Sequence, residues 1–307
     1  MARRVALLNA PEIGRSFAAS PDRFSFNGIG AIVVTVAALG LSGFGTALDR
    51  SDTTSLLCLA LLVFGLPHGS LDIALVRRSA RLGRRQVWAT VLTYLGFAAA
   101  TYALWCVAPV VALAGFLVIA SVHFAEDWAR EMPPFFAVGT AVVLLTAPAL
   151  LHYRAIADIF VRLTGDPSAM MLADVAILMA PVALVATGVG LQLMVRDMQT
   201  MRALETGTGI LGMILLPPIA GFAIFFCLSH SPRHYSAARA ELGGRDGEAA
   251  LLTCAGLGIA ALIYAARGAA QLEDSAIFAS FVTLSVLTVP HMIVPRIVNR
   301  QQTRVSD

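Results

Sequence analysis

Four of the six histidines stand in short segments that pair an imidazole with a second polar side chain one helical turn away. The three pairs are His68 and Asp72, His123 and Asp127, and His230 and His234. Residues four apart lie on the same face of a helix. Two histidines at this spacing commonly present both imidazoles to one metal ion. An aspartate at this spacing can accept the second N–H of a ligand histidine and fix the ring's orientation. The pairs therefore indicate a shared metal site.

The ligand types limit which metal such a site would hold. Imidazole coordination that is poor in oxygen suits Fe, Zn or Cu and disfavours Mg or Ca. The chain has no HExxH, GxSxG or P-loop motif, which makes a zinc protease, a serine hydrolase and a nucleotide hydrolase unlikely classes. A bis-histidine haem is disfavoured because His230 and His234 share one face. A mononuclear centre with four imidazoles remains, and the residue types alone leave zinc as an alternative to iron.

The histidines also have ordinary interpretations. A lone histidine at the end of an apolar helix is typically an interfacial residue, which is our interpretation of His152. Asp127 fits a solvated turn, and His230 and His234 fit polar positions where a helix leaves the bilayer. Three such settings in one chain weaken the ordinary interpretation, and both interpretations stay open at this point. His291 follows Pro290 inside the last apolar stretch and is a candidate to line the same cavity.

The composition identifies the elements that must position these residues. Of the 307 residues, 58% are hydrophobic and only 13% are charged, about half the charge density of a soluble domain. Apolar runs of about 20 residues recur, each long enough to cross the hydrocarbon core of a bilayer. We therefore predict an all-α, polytopic membrane bundle. A soluble enzyme, a disordered chain, a disulfide scaffold and a nucleic-acid-binding module are excluded.

Nine apolar stretches can be distinguished along the chain. They lie approximately at 28–47, 53–76, 87–106, 107–125, 135–152, 171–195, 207–229, 248–267 and 275–295. The arginine cluster at 77–85 places the end of the second stretch in the cytoplasm, and the N-terminus with it. Nine crossings would leave the arginine-rich C-terminal tail outside. We therefore expect about eight transmembrane helices, with one stretch between 135 and 195 re-entrant or interfacial.

The same pattern predicts the organisation and the location of the chain. The expected parts are a cytoplasmic N-terminal segment at 1–27, a single membrane-embedded catalytic domain at 28–298 and a polar tail at 299–307. The expected location is the inner membrane of a bacterium, with several passes and a cytoplasmic N-terminus. The oligomeric state stays open.

Three motifs carry a resemblance to a known family. They are Gly65-Leu66-Pro67-His68-Gly69-Ser70-Leu71-Asp72, Val122-His123-Phe124-Ala125-Glu126-Asp127 and His230-Ser231-Pro232-Arg233-His234. In order and spacing they resemble the Brp/Blh family of bacterial and archaeal membrane β-carotene 15,15′-dioxygenases, which supply retinal to rhodopsins. The resemblance covers roughly residues 28–298. Each motif alone is weak, whereas the combination is specific.

The resemblance implies a reaction and a ligand set. It implies Fe²⁺ bound by four histidines, which correspond here to His68, His123, His230 and His234. It also implies that O2 cleaves the central double bond of β-carotene to give two all-trans-retinal. Asp72, Asp127 and His291 are then candidates to orient the ligands, and no catalytic residue beyond the metal site is expected.

A carotenoid substrate agrees with the apolar character of the chain. The polyene dissolves only in the bilayer, so we expect it to enter sideways between helices. The aromatic candidates to line its path are Phe64, Phe124, Phe222, Phe225, Phe226 and Tyr235. Two other functions remain as alternatives, a proton-coupled membrane transporter and an accessory protein that binds carotenoid or retinal without cleaving it. The transporter predicts no bound metal, and the accessory protein predicts bound pigment without turnover.

Overall fold

A computed structural model describes most of the chain as helix. It describes residues 26–42, 48, 50–79, 82–243, 247–266 and 272–306, with side chains at these positions except 26–27, 42, 68, 79, 247–249 and 299–306. Helix accounts for 92% of the structure, and the described residues contain no strand. The predicted all-α class is therefore confirmed.

Thirteen α-helices follow one another along the described residues. They are α1 (Phe26–Ser42), α2 (Ser51–Gly65), α3 (Asp72–Ser79), α4 (Arg84–Val107), α5 (Pro109–Ala125), α6 (Pro134–Thr146), α7 (Ala149–Thr164), α8 (Met170–Arg196), α9 (Thr200–Leu215), α10 (Pro218–Phe225), α11 (Ser231–Leu242), α12 (Gly247–Ala266) and α13 (Leu272–Ser306). Short 3₁₀ turns at Leu66–Leu71 and Glu126–Trp128 and a π-helical turn at Phe226–His230 connect helices next to the predicted site residues.

Proline and glycine set several of the helix boundaries. Pro109 and Pro134 occupy the first positions of α5 and α6, where the missing N–H of proline costs no hydrogen bond. Gly165 and Gly243 follow the ends of α7 and α11 with φ near 69°, a left-handed conformation that glycine adopts without strain. The predicted stretch 135–152 differs from the structure, because α6 and α7 meet at an angle of 63°.

The predicted stretch 207–229 was wrong as a single helix. The structure breaks it between α9 and α10 at Leu216 and Pro217 and turns the chain back on itself. A Cβ atom on Gly221 would lie 3.0 Å from the carbonyl oxygen of Gly212, so the two helices pack closely as an antiparallel hairpin. Proline at 217 and 218 explains the break, because neither residue can donate a backbone hydrogen bond. The hairpin brings the start of α9 beside the segment that follows α10.

Among the described residues, five helical segments are long and apolar enough to cross a bilayer, and the bent pair α6 and α7 makes a sixth if it counts as one span. The outer face of α8 is apolar, since Leu178, Val182 and Val185 are each at least 70% exposed. An exposed apolar stripe of this kind is suited to contact with lipid tails rather than water. The chain is therefore a membrane protein, and the predicted number of eight crossings stays a prediction.

Helix α13 runs through the interior and carries His291. Two of its serine side chains are hydrogen-bonded to neighbouring helices. Trp105 Nε1 on α4 donates to Ser285 Oγ at 3.0 Å, and Ser280 Oγ donates to the carbonyl oxygen of Cys58 on α2 at 3.0 Å. Buried hydrogen bonds of this kind fix the register of a helix against its neighbours. Helix α13 is thus held against α2 and α4.

Candidate metal centre

His123 and His230 meet in the interior of the bundle. The Nε2 atoms of the two rings are 3.1 Å apart, and the two residues are 2% and 0% exposed. His123 lies in the last turn of α5, whereas His230 ends the π-helical turn before α11. Pro232 lacks the N–H that a regular α-helix would use there, which explains the wider turn. Two helices therefore direct one nitrogen each at the same point.

Asp127 joins His230 to His234. His230 Nδ1 donates to Asp127 Oδ2 at 2.9 Å, and His234 Nε2 donates to Asp127 Oδ1 at 2.6 Å. The carboxylate is fully buried. A neutral His230 that donates through Nδ1 carries its lone pair on Nε2, which faces His123. Asp127 thus holds His230 in the tautomer that can bind a metal.

The turn that carries Asp127 is anchored from a neighbouring helix. Trp128 Nε1 donates to Thr206 Oγ1 on α9 at 2.9 Å, and Arg202 donates to the carbonyl oxygen of Asp127 at 2.9 Å. Trp128 is almost completely buried. The backbone at Asp127 is therefore fixed on the side that faces α9.

The donor atoms of this cluster fit a transition-metal ion. One ligand atom from each of Asp127, His230 and His234 lies within 4.8 Å of the others. The ring of His123 is centred 4.9 Å from that of His230 and 5.6 Å from that of His234. Imidazole nitrogens with a single carboxylate suit Fe or Zn better than Mg or Ca. The described residues therefore offer a nitrogen-rich site.

His291 and Asp72 form a second hydrogen-bonded pair beside the cluster. His291 Nδ1 donates to Asp72 Oδ2 at 2.6 Å, and the His291 ring is centred 4.9 Å from that of His123. A Cβ atom on Gly69 would lie 3.5 Å from His291 Nδ1, an ordinary van der Waals distance, so the 3₁₀ turn lies beside the ring. Asp72 is thus hydrogen-bonded to a histidine of α13 that is 219 residues away in sequence.

The side chain of His68 lies outside the described residues. Its backbone belongs to the 3₁₀ turn Leu66–Leu71, and the neighbouring Gly69 packs against His291 as described above. The prediction of His68 as a metal ligand stays a prediction.

Aromatic side chains surround the buried histidines. Phe124 and Phe226 pack on His230 with centroid distances of 4.8 and 5.2 Å, and Phe222 stacks on Phe226 at 5.4 Å. Of the other predicted lining residues, Phe225 is also buried. Phe64 is 60% exposed, and Tyr235 packs with Leu71 and Leu75 in a separate cluster. The structure therefore places four of the six predicted aromatic residues at the site.

A charged network next to the site was missed by the sequence analysis. Glu205 accepts hydrogen bonds from Arg233 at 2.6 Å and from Arg202 at 3.0 Å, and Arg202 Nε lies 3.6 Å from a carboxylate oxygen of Glu131. The position of Arg233 between His230 and His234 was a usable signal. No comparable signal marked Glu205, because it stands just outside an apolar stretch, where charged residues are common.

Gly65→Ala tests the packing around Phe226. A Cβ atom on Gly65 would overlap with Phe226 Cε1, and Phe226 is held in the aromatic stack on His230. We expect the variant to lose about 1–3 kcal/mol of stability, as for other overpacked cores. Thermal unfolding in detergent measures this loss. Gly115→Ala is the control, because nothing lies within 4 Å of its Cβ position; equal unfolding temperatures for the two variants would contradict the packing.

Known proteins similar to this chain share one description. The family model described as "Beta-carotene 15,15'-dioxygenase" matches residues 59–299. A "Beta-carotene 15,15'-dioxygenase" from an uncultured marine bacterium, 66A03, is 30% identical over 260 residues, which cover 76% of this chain and 90% of the relative. A "Probable beta-carotene 15,15'-dioxygenase Blh" from Halobacterium salinarum is 26% identical and covers 89% of this chain and 92% of its own length. No solved structure matches the chain significantly.

Proposed function

The chain belongs to the β-carotene 15,15′-dioxygenase family, and on that premise we propose that it cleaves the central double bond of β-carotene with O2 to give two all-trans-retinal. The observation that carries the proposal is the buried convergence of His123, His230, His234 and Asp127 inside the matched range. The balance of atoms needs no reductant, because both oxygen atoms end in the two aldehydes.

The proposed cofactor is Fe²⁺, held by His68, His123, His230 and His234. When bound, iron supplies the redox chemistry that allows O2 to react with the polyene. The hydrogen-bonded histidines support this assignment, since histidine ligands in metal sites usually donate their second N–H to a carboxylate. Zinc fits the same donor atoms, so the choice of iron rests on the oxidative reaction of the family.

The residues of the chain position the reactants. Asp127 orients His230 and His234, and the Asp72–His291 pair packs on the His123 ring. Phe124, Phe222 and Phe226 give the site an apolar wall that can bind the polyene and exclude water. The substrate has no polar group for hydrogen bonding, so the shape of this wall is proposed to set which double bond reaches the metal.

Asp72→Asn and His291→Gln test whether the second pair acts as one unit. We expect each variant to lower turnover of β-carotene about 10-fold, the lower range for residues that support metal ligands. The turnover of the double variant is expected to lie within about 2-fold of that of either single variant, because each change breaks the same hydrogen bond. Initial rates of retinal formation measure this. Losses that multiply in the double variant would contradict a shared role.

We place the metal centre at the cytoplasmic end of the bundle, in the inner membrane of a bacterium. Arg202 and Arg233 lie in the first turns of α9 and α11 beside the site, and Arg130 follows the turn that carries Asp127. Arginines at helix ends concentrate on the cytoplasmic side. The hairpin of α9 and α10 supports this placement, because it returns His230 to the end of the bundle that holds His123. A cytoplasmic N-terminus and one catalytic domain at 28–298 complete the proposal.

Membership of an enzyme family favours catalysis over the two alternatives. Purified protein in detergent, loaded with Fe²⁺ or Zn²⁺ and given β-carotene and O2, tests the proposed reaction. We expect two retinal molecules for each β-carotene consumed, with iron only. Bound carotenoid that is never consumed would support the accessory protein. Full activity with zinc would refute the redox role of the metal.

A further inference from the structure

Glu205 lies at the centre of the charged network beside the metal site. Its carboxylate is 11% exposed and accepts hydrogen bonds from two guanidinium groups, Arg233 at 2.6 Å and Arg202 at 3.0 Å. A Cβ atom on Gly28 of α1 would lie 3.1 Å from Glu205 Oε2, so α1 covers the carboxylate closely. Glu205 is therefore fixed between α1, α9 and α11.

Arg233 stands between two acceptors. It lies between His230 and His234 on the chain, and its NH2 group binds Glu205. Its NH1 group is 3.7 Å from Asp127 Oδ2, the oxygen that accepts from His230. A separation of 3.7 Å is too long for a hydrogen bond but short enough for electrostatic attraction. Arg233 therefore attracts Asp127 electrostatically, but its shortest hydrogen bond is to Glu205.

The two carboxylates compete for this arginine. Arg233 is largely buried, and a buried guanidinium that loses one carboxylate will seek another, because an unpaired buried charge is costly. Bidentate contacts, in which two N–H groups of arginine donate to one carboxylate, are stronger than single hydrogen bonds to neutral groups. Without Glu205, Arg233 would move onto Asp127 and take the oxygens that now bind the two histidines.

We propose that Glu205 is a positioning residue: it holds Arg233 away from Asp127 and so keeps Asp127 bonded to His230 and His234. The inference rests on the proposed metal centre. Arg202 supports the arrangement from the other side, since it binds both Glu205 and the carbonyl oxygen of Asp127. Glu205 acts through the arginine and touches neither metal nor substrate.

Titration of metal-free, full-length protein with Co²⁺ tests the proposal, because visible absorption of bound cobalt reports affinity without turnover. We expect Glu205→Gln to weaken Co²⁺ binding about 10–100-fold, the range for residues that support metal ligands. Glu205→Asp keeps the charge and is expected to bind nearly as well as the wild type. Asp197→Asn, an exposed position on the loop before α9, is the control for a lost carboxylate.

The double variant Glu205→Gln/Arg233→Gln separates positioning from a purely structural role. We expect it to recover at least about 10-fold of the affinity that Glu205→Gln loses, because the competing guanidinium is gone. No recovery, or wild-type affinity in Glu205→Gln, would overturn the inference. If Glu205→Gln does not fold, the double variant decides alone: cobalt binding supports the inference and no binding overturns it. Absence of cobalt binding by the wild type would instead refute the metal centre.

Discussion

His230→Ala is expected to purify without metal and to lose more than about 100-fold of retinal formation. The loss should exceed the 10–100-fold typical of residues that only support a ligand, because His230 supplies a nitrogen itself. Its Nε2 faces His123 at 3.1 Å, and the ring is fully buried between Phe124 and Phe226.

Metal content per chain and the initial rate of retinal formation measure this result on one preparation. His152→Gln is the matched control, since His152 lies on α7 and outside the cluster. The control should keep both metal and activity. A His230→Ala protein with full metal content and full turnover would show that the ring is only a packing residue.

Asp127→Asn is expected to weaken metal binding about 10–100-fold and to destabilise the protein by about 1–3 kcal/mol, the cost of an unsatisfied buried hydrogen-bonding group. Both carboxylate oxygens accept from a histidine, whereas an amide offers one acceptor oxygen and places an N–H₂ donor against the other ring. The variant also removes the negative charge beside Arg233, which lies 3.7 Å away. Replacing one carboxylate oxygen by an amide nitrogen, with loss of the negative charge, therefore affects both histidines and Arg233.

Thermal unfolding and Co²⁺ titration of Asp127→Asn measure the two effects separately. Asp197→Asn serves as the control, because that carboxylate is exposed. Metal affinity equal to that of the wild type would contradict the role of Asp127 in orienting the two imidazoles. A loss of affinity with unchanged stability would contradict only the predicted cost of the mismatched hydrogen bond.

Local spacing predicts which residues share a helix face, and the structure agrees where the partners are local. His230 and His234 are one turn apart, and their rings are centred 4.5 Å from each other. The partners that the structure shows for the aspartates are distant instead. Asp127 binds His230 of the π-helical turn and His234 of α11, and Asp72 binds His291 of α13. Helical periodicity does not specify which helix will pack against a face. These pairings therefore could not be predicted from the sequence.

The hairpin had a signal that hydropathy obscured. Pro217 and Pro218 stand in the middle of an apolar stretch of typical transmembrane length, and hydropathy alone does not reveal the break that they cause. Glu205 and Arg202 lie before that stretch and resembled ordinary loop charges. Their role depends on the start of α9 lying beside the segment that follows α10, so it emerges only once the chain turns at Pro217.

Pigment analysis of a β-carotene-producing bacterium that expresses this chain tests the central claim most directly. We expect the wild type to deplete β-carotene and accumulate retinal, separated by chromatography, while His230→Ala at equal membrane abundance leaves the orange pigment intact. Unchanged β-carotene with well-inserted wild-type protein would contradict the proposed reaction. Retinal formed equally by His230→Ala would contradict the proposed site.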